Sequence, residues 1–98
     1  MTDVTITLED GESKGRYVAA VPDSAETAEL TFSRAGEAML IVDHTGVPDA
    51  LRGRGLAAAL AARVVEDARA AGKRIVPLCP FFKAQYQRHP DWADVVQG

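Results

Sequence analysis

A short loop of glycine and arginine separates an apolar segment from an alanine-rich one, and it constrains the fold more than any other feature. The loop reads Arg52-Gly53-Arg54-Gly55, and residues 56–71 follow it. Glycine lets a backbone turn tightly and approach a ligand without a Cβ atom in the way. The first N–H groups of a helix lack intrahelical acceptors, and the helix dipole adds roughly half a positive charge there. The pattern therefore predicts a phosphate cradle, to which both arginines add positive charge.

Two common phosphate-binding motifs fit this loop poorly. A Walker loop needs a lysine followed by serine or threonine after its last glycine, whereas Leu56 and Ala57 follow here. The two glycines and Ala58 fit the dinucleotide fingerprint G-x-G-x-x-A better. That fingerprint expects a carboxylate about 20 residues further on to bind a ribose, but residues 73–78 contain none. A dinucleotide-binding fragment is thus the weaker alternative.

The loop instead resembles the acetyl-CoA loop of the Gcn5-related N-acetyltransferases, written R/Q-x-x-G-x-G/A. Arg52, Gly55 and Ala57 occupy its fixed positions. His-Thr at 44–45, Pro-Leu-Cys-Pro-Phe at 77–81 and the Tyr-x-x-His-Pro segment at 86–90 follow the order and spacing of the small single-domain members of that family. The resemblance extends from residue 43 to 96, and the whole chain, residues 1–98, is expected to form one domain.

Hydrophobic periodicity predicts a mixed α+β fold. Period-two alternation and turn residues predict an antiparallel meander of strands at residues 4–9, 16–21, 29–34 and 38–45. Apolar residues every four positions predict a helix over 56–71 that ends at Gly72, followed by a short strand over 75–78 and a second helix over 81–89. The resemblance implies a minimal acetyltransferase fold with the fifth strand parallel to the fourth. In it, residues 10–15 stand where larger members carry two helices.

The resemblance also implies acetyl-CoA as the cofactor, with its pyrophosphate on the loop and its pantetheine arm between the fourth and fifth strands. A branched side chain at Gly55 is expected to block the phosphate and leave the fold largely intact. The expected cofactor-binding residues are Thr45, Val47, Arg52, Gly53, Arg54, Gly55, Leu56, Ala57, Pro80, Phe81 and Lys83.

Three residues are candidates for the chemistry, each with a structural alternative. Histidine is a common general base in enzymes, so His44 is a candidate base for the acceptor amine, or it hydrogen-bonds the turn that follows. Cys79 is a candidate acetyl carrier, or a small buried packing residue. Tyr86 matches the family's tyrosine that protonates the leaving thiolate, or it buries its ring in the core.

Composition excludes several other classes of function. The net charge of −3 and pI near 5.2 argue against nucleic-acid binding. No segment has the pattern of a membrane span or a signal peptide, so a cytoplasmic protein is expected. One cysteine and two histidines far apart in sequence predict no metal site and no internal disulfide.

The predicted function is transfer of an acetyl group from acetyl-CoA directly to an amine. A protein or peptide lysine suits an open acceptor side better than a small molecule does, but the partner in a homodimer could complete that side, so monomer and homodimer both stay open. The alternative is a noncatalytic CoA or acyl-CoA binding module that keeps the cradle without an acceptor site.

Overall fold

A computed structural model describes residues 4–96, which form five strands and two helices in the predicted order. The termini of the predicted domain, residues 1–3 and 97–98, lie outside the described part. Short 3₁₀ turns at Asp49–Leu51 and Pro90–Asp94 add to the predicted elements. The elements are β1 Thr5–Asp10, β2 Lys14–Ala20, β3 Ala28–Ala35, β4 Met39–Gly46, α1 Leu56–Ala71, β5 Arg74–Pro77 and α2 Pro80–Arg88.

The strands form one sheet in sequence order, β1-β2-β3-β4-β5. The first four are antiparallel neighbours, and β5 runs parallel to β4 because α1 carries the chain back across the sheet. This topology confirms the predicted mixed α+β fold. Only Gly11, Glu12 and Ser13 connect β1 to β2.

The helices cover one face of this sheet. Alternate strand residues are buried there and form a single cluster with the apolar sides of both helices. The largest fully buried members include Leu30, Leu56, Leu60, Ile75 and Phe82. On the opposite face of β2–β5, every described residue is half-buried or exposed. We call this opposite face the open face.

Glycine defines both ends of α1. Gly55, the residue before the helix, has φ +75°, and Gly72, the residue after it, has φ +70°. The Gly72 N–H donates to the Arg69 carbonyl at 3.2 Å, and the Lys73 N–H donates to the Ala68 carbonyl at 2.8 Å. These bonds satisfy carbonyls that a helix end otherwise leaves free, so the predicted bounds of this helix are confirmed.

The second helix begins one residue earlier than predicted. Pro80 is its first residue rather than a residue preceding it. Proline suits this position because the first N–H of a helix has no intrahelical acceptor.

The segment after α2 is fixed by ring stacking. Trp92 is stacked between Phe82, with centroids 6.0 Å apart, and His89, with centroids 4.3 Å apart. The His89 N–H closes α2 on the Tyr86 carbonyl at 3.0 Å. The histidine of the Tyr-x-x-His-Pro segment therefore has a packing role.

Candidate functional site

A cleft of about 440 Å³ lies between the end of β4, the start of α1 and one side of α2. Its walls combine glycine backbone with apolar side chains and a few polar groups. The lining residues are Thr45, Val47, Leu51, Arg52, Gly53, Gly55, Leu56, Ala57, Ala58, Phe81 and Gln85.

The loop before α1 opens backbone donors toward this cleft. Gly53 and Gly55 both have positive φ, +78° and +75°, a conformation that other residues adopt at a cost. The first intrahelical bond runs from the Ala59 N–H to the Gly55 carbonyl at 3.0 Å. The N–H groups of residues 56–58 thus precede the helical ladder and have no intrahelical acceptor. This is the geometry of an anion cradle at a helix N-terminus.

The two arginines of the loop differ in availability. Arg54 makes two 3.0 Å hydrogen bonds to the carboxylate of Asp23 in the β2–β3 connection. These bonds lower the pKa of Asp23 and raise the pKa of Arg54. Arg52 makes a single contact with Asp49 at 3.0 Å, and its side chain is 74% exposed. Arg52 is therefore the arginine that a ligand in the cleft can recruit more easily.

A β-bulge near the end of β4 decides which side chains face the cleft. Phe32 pairs with Val42 and Thr31 pairs with His44, so Asp43 is an extra residue in β4. The Asp43 carboxylate accepts a 2.5 Å hydrogen bond from the Thr31 hydroxyl. Because a bulge shifts the alternation by one residue, His44 lies on the open face and Thr45, the next residue, lies on the helix side.

Strands β4 and β5 separate next to this bulge. Their last paired residues are Val42 and Pro77, although β4 continues to Gly46. The N–H groups of Leu78 and Cys79 both donate to the Val42 carbonyl, at 3.0 and 2.9 Å. Beyond that carbonyl the backbone pairing of β4 with β5 ends, which leaves a gap between the backbones of residues 43–46 and the start of α2 that the 3.4 Å contact between the Cys79 Sγ and the Thr45 Oγ1 crosses. An extended group could enter this gap from the cleft.

The three candidate catalytic residues lie in different surroundings. His44 is exposed, and its Nε2 lies over Gly46, only 3.1 Å from where a Cβ atom would be. Cys79 is buried, and its Sγ donates to the Thr45 Oγ1 at 3.4 Å. Tyr86 is half-buried with its ring against the hydrophobic core.

Most of the predicted cofactor-binding residues line the cleft. Arg54, Pro80 and Lys83 do not, and neither do the three candidate catalytic residues. Sequence reasoning missed Leu51, Ala58 and Gln85. Gln85 stands four residues after Phe81 on α2, and this helical spacing was the signal that could have found it.

Between residues 4 and 96, no three side chains of His, Cys, Asp or Glu come together in a group that could hold a metal ion. In the same range, no helix has the length and apolar character needed to cross a membrane.

Comparison with known proteins identifies the family. Residues 16–95 match the model of the GCN5-related N-acetyl-transferase family, from the second strand to the C-terminal segment. The chain belongs to this family. The match contains the glycine loop, the separation of β4 and β5, and both helices, so the cleft lies within the acetyltransferase domain.

A solved structure supports the same acetyltransferase assignment. A GCN5-like protein from Staphylococcus aureus, whose structure was determined in solution by NMR, superposes with a TM-score of 0.67 at 31% sequence identity. The alignment covers 94% of this chain and 88% of that protein. A search of curated proteins gave no significant match.

Proposed function

We propose that this protein is an acetyl-CoA-dependent N-acetyltransferase that passes the acetyl group directly to an amine. The observation that carries the proposal is the cleft, whose lining joins the start of α1, where the first N–H groups have no intrahelical acceptor, to Thr45 and Val47 at the end of β4. Membership in the acetyltransferase family supports acetyl transfer as the reaction.

In this proposal the pyrophosphate binds to the N–H groups of residues 53–57. Arg52 adds a mobile positive charge at the mouth of the cleft, with Arg54 and Lys83 as further phosphate contacts. The pantetheine arm passes Thr45, Val47, Pro80 and Phe81 into the gap. The volume of about 440 Å³ is within the usual range of ligand clefts.

The burial of Cys79 supports direct transfer rather than an acetyl-cysteine intermediate. A covalent carrier must reach the thioester carbonyl, but this thiol is only 4% exposed and contacts Thr45. His44 is exposed at the same end of β4 and has the chemistry of a general base. The acceptor would reach it from the open face, which suits a protein or peptide lysine. Tyr86 as proton donor to the leaving thiolate stays a prediction.

One pair of charge variants tests the cradle. Ala57 lines the cleft in the first turn of α1, whereas Ala62 is exposed further along the same helix. An aspartate in a first helical turn stabilises the helix but repels a bound anion. We therefore expect Ala57→Asp to remain folded and to lose at least tenfold in affinity for CoA by isothermal titration calorimetry, with Ala62→Asp close to the unmodified protein.

Catalysis is tested separately, by incubating the protein with acetyl-CoA and either lysine peptides or polyamines and measuring acetylation of these acceptors. We expect acetylation above the spontaneous rate, and we expect His44→Ala to lower kcat and alter its pH profile without weakening CoA binding. If Ala57→Asp binds CoA normally, the cradle is wrong. If CoA binds but no acceptor is acetylated, the protein is a noncatalytic CoA-binding module instead.

A further inference from the structure

Another cavity, of about 400 Å³, lies between the sheet and the C-terminal half of α1. It shares no lining residue with the cleft. Ala57 in the cleft and Ala68 in this cavity are separated by about 16 Å along the helix axis. The lining is mostly apolar, and its polar groups belong to Tyr17, Arg34, Asp67 and Lys73. We call this space the Arg34 cavity.

Small residues on both sides create the Arg34 cavity. Phe32 pairs with Gly15, and a Cβ atom at Gly15 would come within 2.5 Å of the Phe32 ring, so the ring occupies the place of the missing side chain. The Arg34 guanidinium lies over this ring, 5.3 Å from its centroid. On the helix side the walls are alanines, at positions 68, 70 and 71. Their side chains are too short to fill the space, which leaves an apolar pocket with a cation in its wall.

The guanidinium of Arg34 has a donor to spare. Its Nη2 donates to the Asp10 carboxylate at 2.6 Å. Its Nη1 is buried, and among residues 4–96 no acceptor lies within hydrogen-bond distance of it. Buried donors are nearly always paired, and the Phe32 ring attracts the charge without offering an oxygen atom. The side chain as a whole is 23% exposed, so a ligand can reach the guanidinium.

The charges around the Arg34 cavity favour an anion. Lys73 lines it and is half-buried, and no carboxylate in the described part of the chain forms an ion pair with its ammonium group. Asp67, the carboxylate in the wall, already accepts hydrogen bonds from the Tyr17 hydroxyl and from Arg63. The unused polar capacity of the cavity is therefore cationic, and the surface around it is apolar.

We propose that the Arg34 cavity binds a small carboxylate with an apolar body. A carboxylate can accept two parallel hydrogen bonds from a planar guanidinium, and its second oxygen would supply the acceptor that Nη1 lacks. The apolar body would cover Phe32 and Leu40 and displace water from them. The volume of about 400 Å³ is in the usual range for small-molecule sites. This site is separate from the cleft and does not depend on the proposed function.

The test is an NMR titration of the ¹⁵N-labelled full chain with sodium hexanoate, with hexanamide as the neutral analogue of the same shape. We expect hexanoate to cause saturable shifts in the amides of residues 68–73 and to bind about fivefold more tightly than hexanamide, because only the carboxylate forms charge-assisted hydrogen bonds. Arg34→Gln should weaken hexanoate binding by about fivefold and leave CoA affinity unchanged. Arg16→Gln is the matched control, since Arg16 also pairs with a carboxylate of β1, Glu9, but does not line the cavity.

Three outcomes would overturn the carboxylate site. The first is shifts confined to residues 53–58, which would place hexanoate on the cradle. The second is equal binding of hexanoate and hexanamide, and the third is full hexanoate affinity in a folded Arg34→Gln variant. If Arg34→Gln fails to fold by circular dichroism, Lys73→Gln takes its place with an expected loss of about twofold, and unchanged affinity there counts against the site. CoA titration of the same samples measures the proposed function separately.

Discussion

Asp23 holds the guanidinium of Arg54 beside the cradle and so competes with any phosphate that binds there. The paired arginine lowers the pKa of Asp23, so the carboxylate is charged and the pair intact above its unfolded pKa, near 3.9. The stabilising effect of the pair is lost only as pH falls through the lower folded pKa. Changing pH within the neutral range therefore cannot release Arg54.

Substitution of Asp23 is the way to release this arginine. We expect Asp23→Asn to strengthen CoA binding about threefold at low salt, because a negative charge leaves the site and a guanidinium becomes available. Calorimetric titration at two salt concentrations measures the effect, which should shrink as salt rises. Glu37→Gln removes the same charge from the distant β3–β4 turn and should change little; weaker binding by Asp23→Asn would mean that Asp23 positions Arg54 for the phosphate.

The backbone conformation of Gly55 limits which substitutions can test the phosphate cradle. At φ +75°, a valine strains the loop even without a ligand, although no atom lies within 4 Å of a Cβ atom built there. The sequence-based expectation that Gly55→Val leaves the fold largely intact neglected this strain. Charge variants on Ala57 avoid the difficulty because its backbone is helical.

At the scale of elements, α2 divides two adjacent phenylalanines between the core and the cleft. Phe82 is fully buried and stacks on Trp92, whereas Phe81 is 37% exposed and lines the cleft. One helix thus helps to hold the C-terminal segment and to form the candidate site. Neighbouring residues point in different directions along a helix, so each ring has one role.

The two phenylalanines give a matched pair of variants. Phe82→Ala should lower the free energy of unfolding by about 3–5 kcal/mol, because it leaves a cavity in the core. Phe81→Ala should cost much less stability and should weaken CoA binding, since its ring covers part of the cleft. Urea unfolding followed by circular dichroism, with calorimetric titration of CoA, measures both effects. Equal losses of stability would contradict this division.

Asp67, a charged residue of α1, has a structural role that depends on tertiary contacts. Asp67 stands next to Glu66 in the sequence, yet it accepts a 2.8 Å hydrogen bond from the Tyr17 hydroxyl of β2 and further bonds from Arg63. Burial of the ring, followed by the neighbouring carboxylate, raises the pKa of Tyr17. The phenol therefore remains a donor at neutral pH and ties α1 to the sheet.

On the scale of the whole molecule, ligand binding should be visible as thermal stability. A ligand at a hundred times its Kd adds about 2.7 kcal/mol to the free energy of unfolding. In a chain of 98 residues this raises Tm by on the order of 10 °C. We expect CoA to raise Tm more than dephospho-CoA, and Arg52→Ala to remove the difference if its side chain binds the 3′-phosphate. NAD should have no effect; a shift with NAD alone would favour the dinucleotide alternative.

The sequence alone determined the elements whose signals are local. The glycines at 55 and 72 set the bounds of α1 because they take up positive φ next to a periodic apolar pattern. The turns of the meander and the glycine loop were equally local, and most of the predicted cofactor-binding residues line the cleft for that reason. The family resemblance was confirmed by the match over residues 16–95.

Only the tertiary structure decided which side of the sheet each site residue occupies. The bulge at Asp43 depends on the register of β4 against β3, and it sends His44 to the open face and Thr45 to the cleft. The pairing of Arg54 with Asp23 joins residues far apart in the sequence. The exposure of Leu78 likewise depends on both helices packing on the other face. The register of β4, the pairing of Arg54 with Asp23 and the covering of one sheet face by helices all arise from contacts between segments distant in the sequence. Periodicity along a single segment cannot encode such contacts.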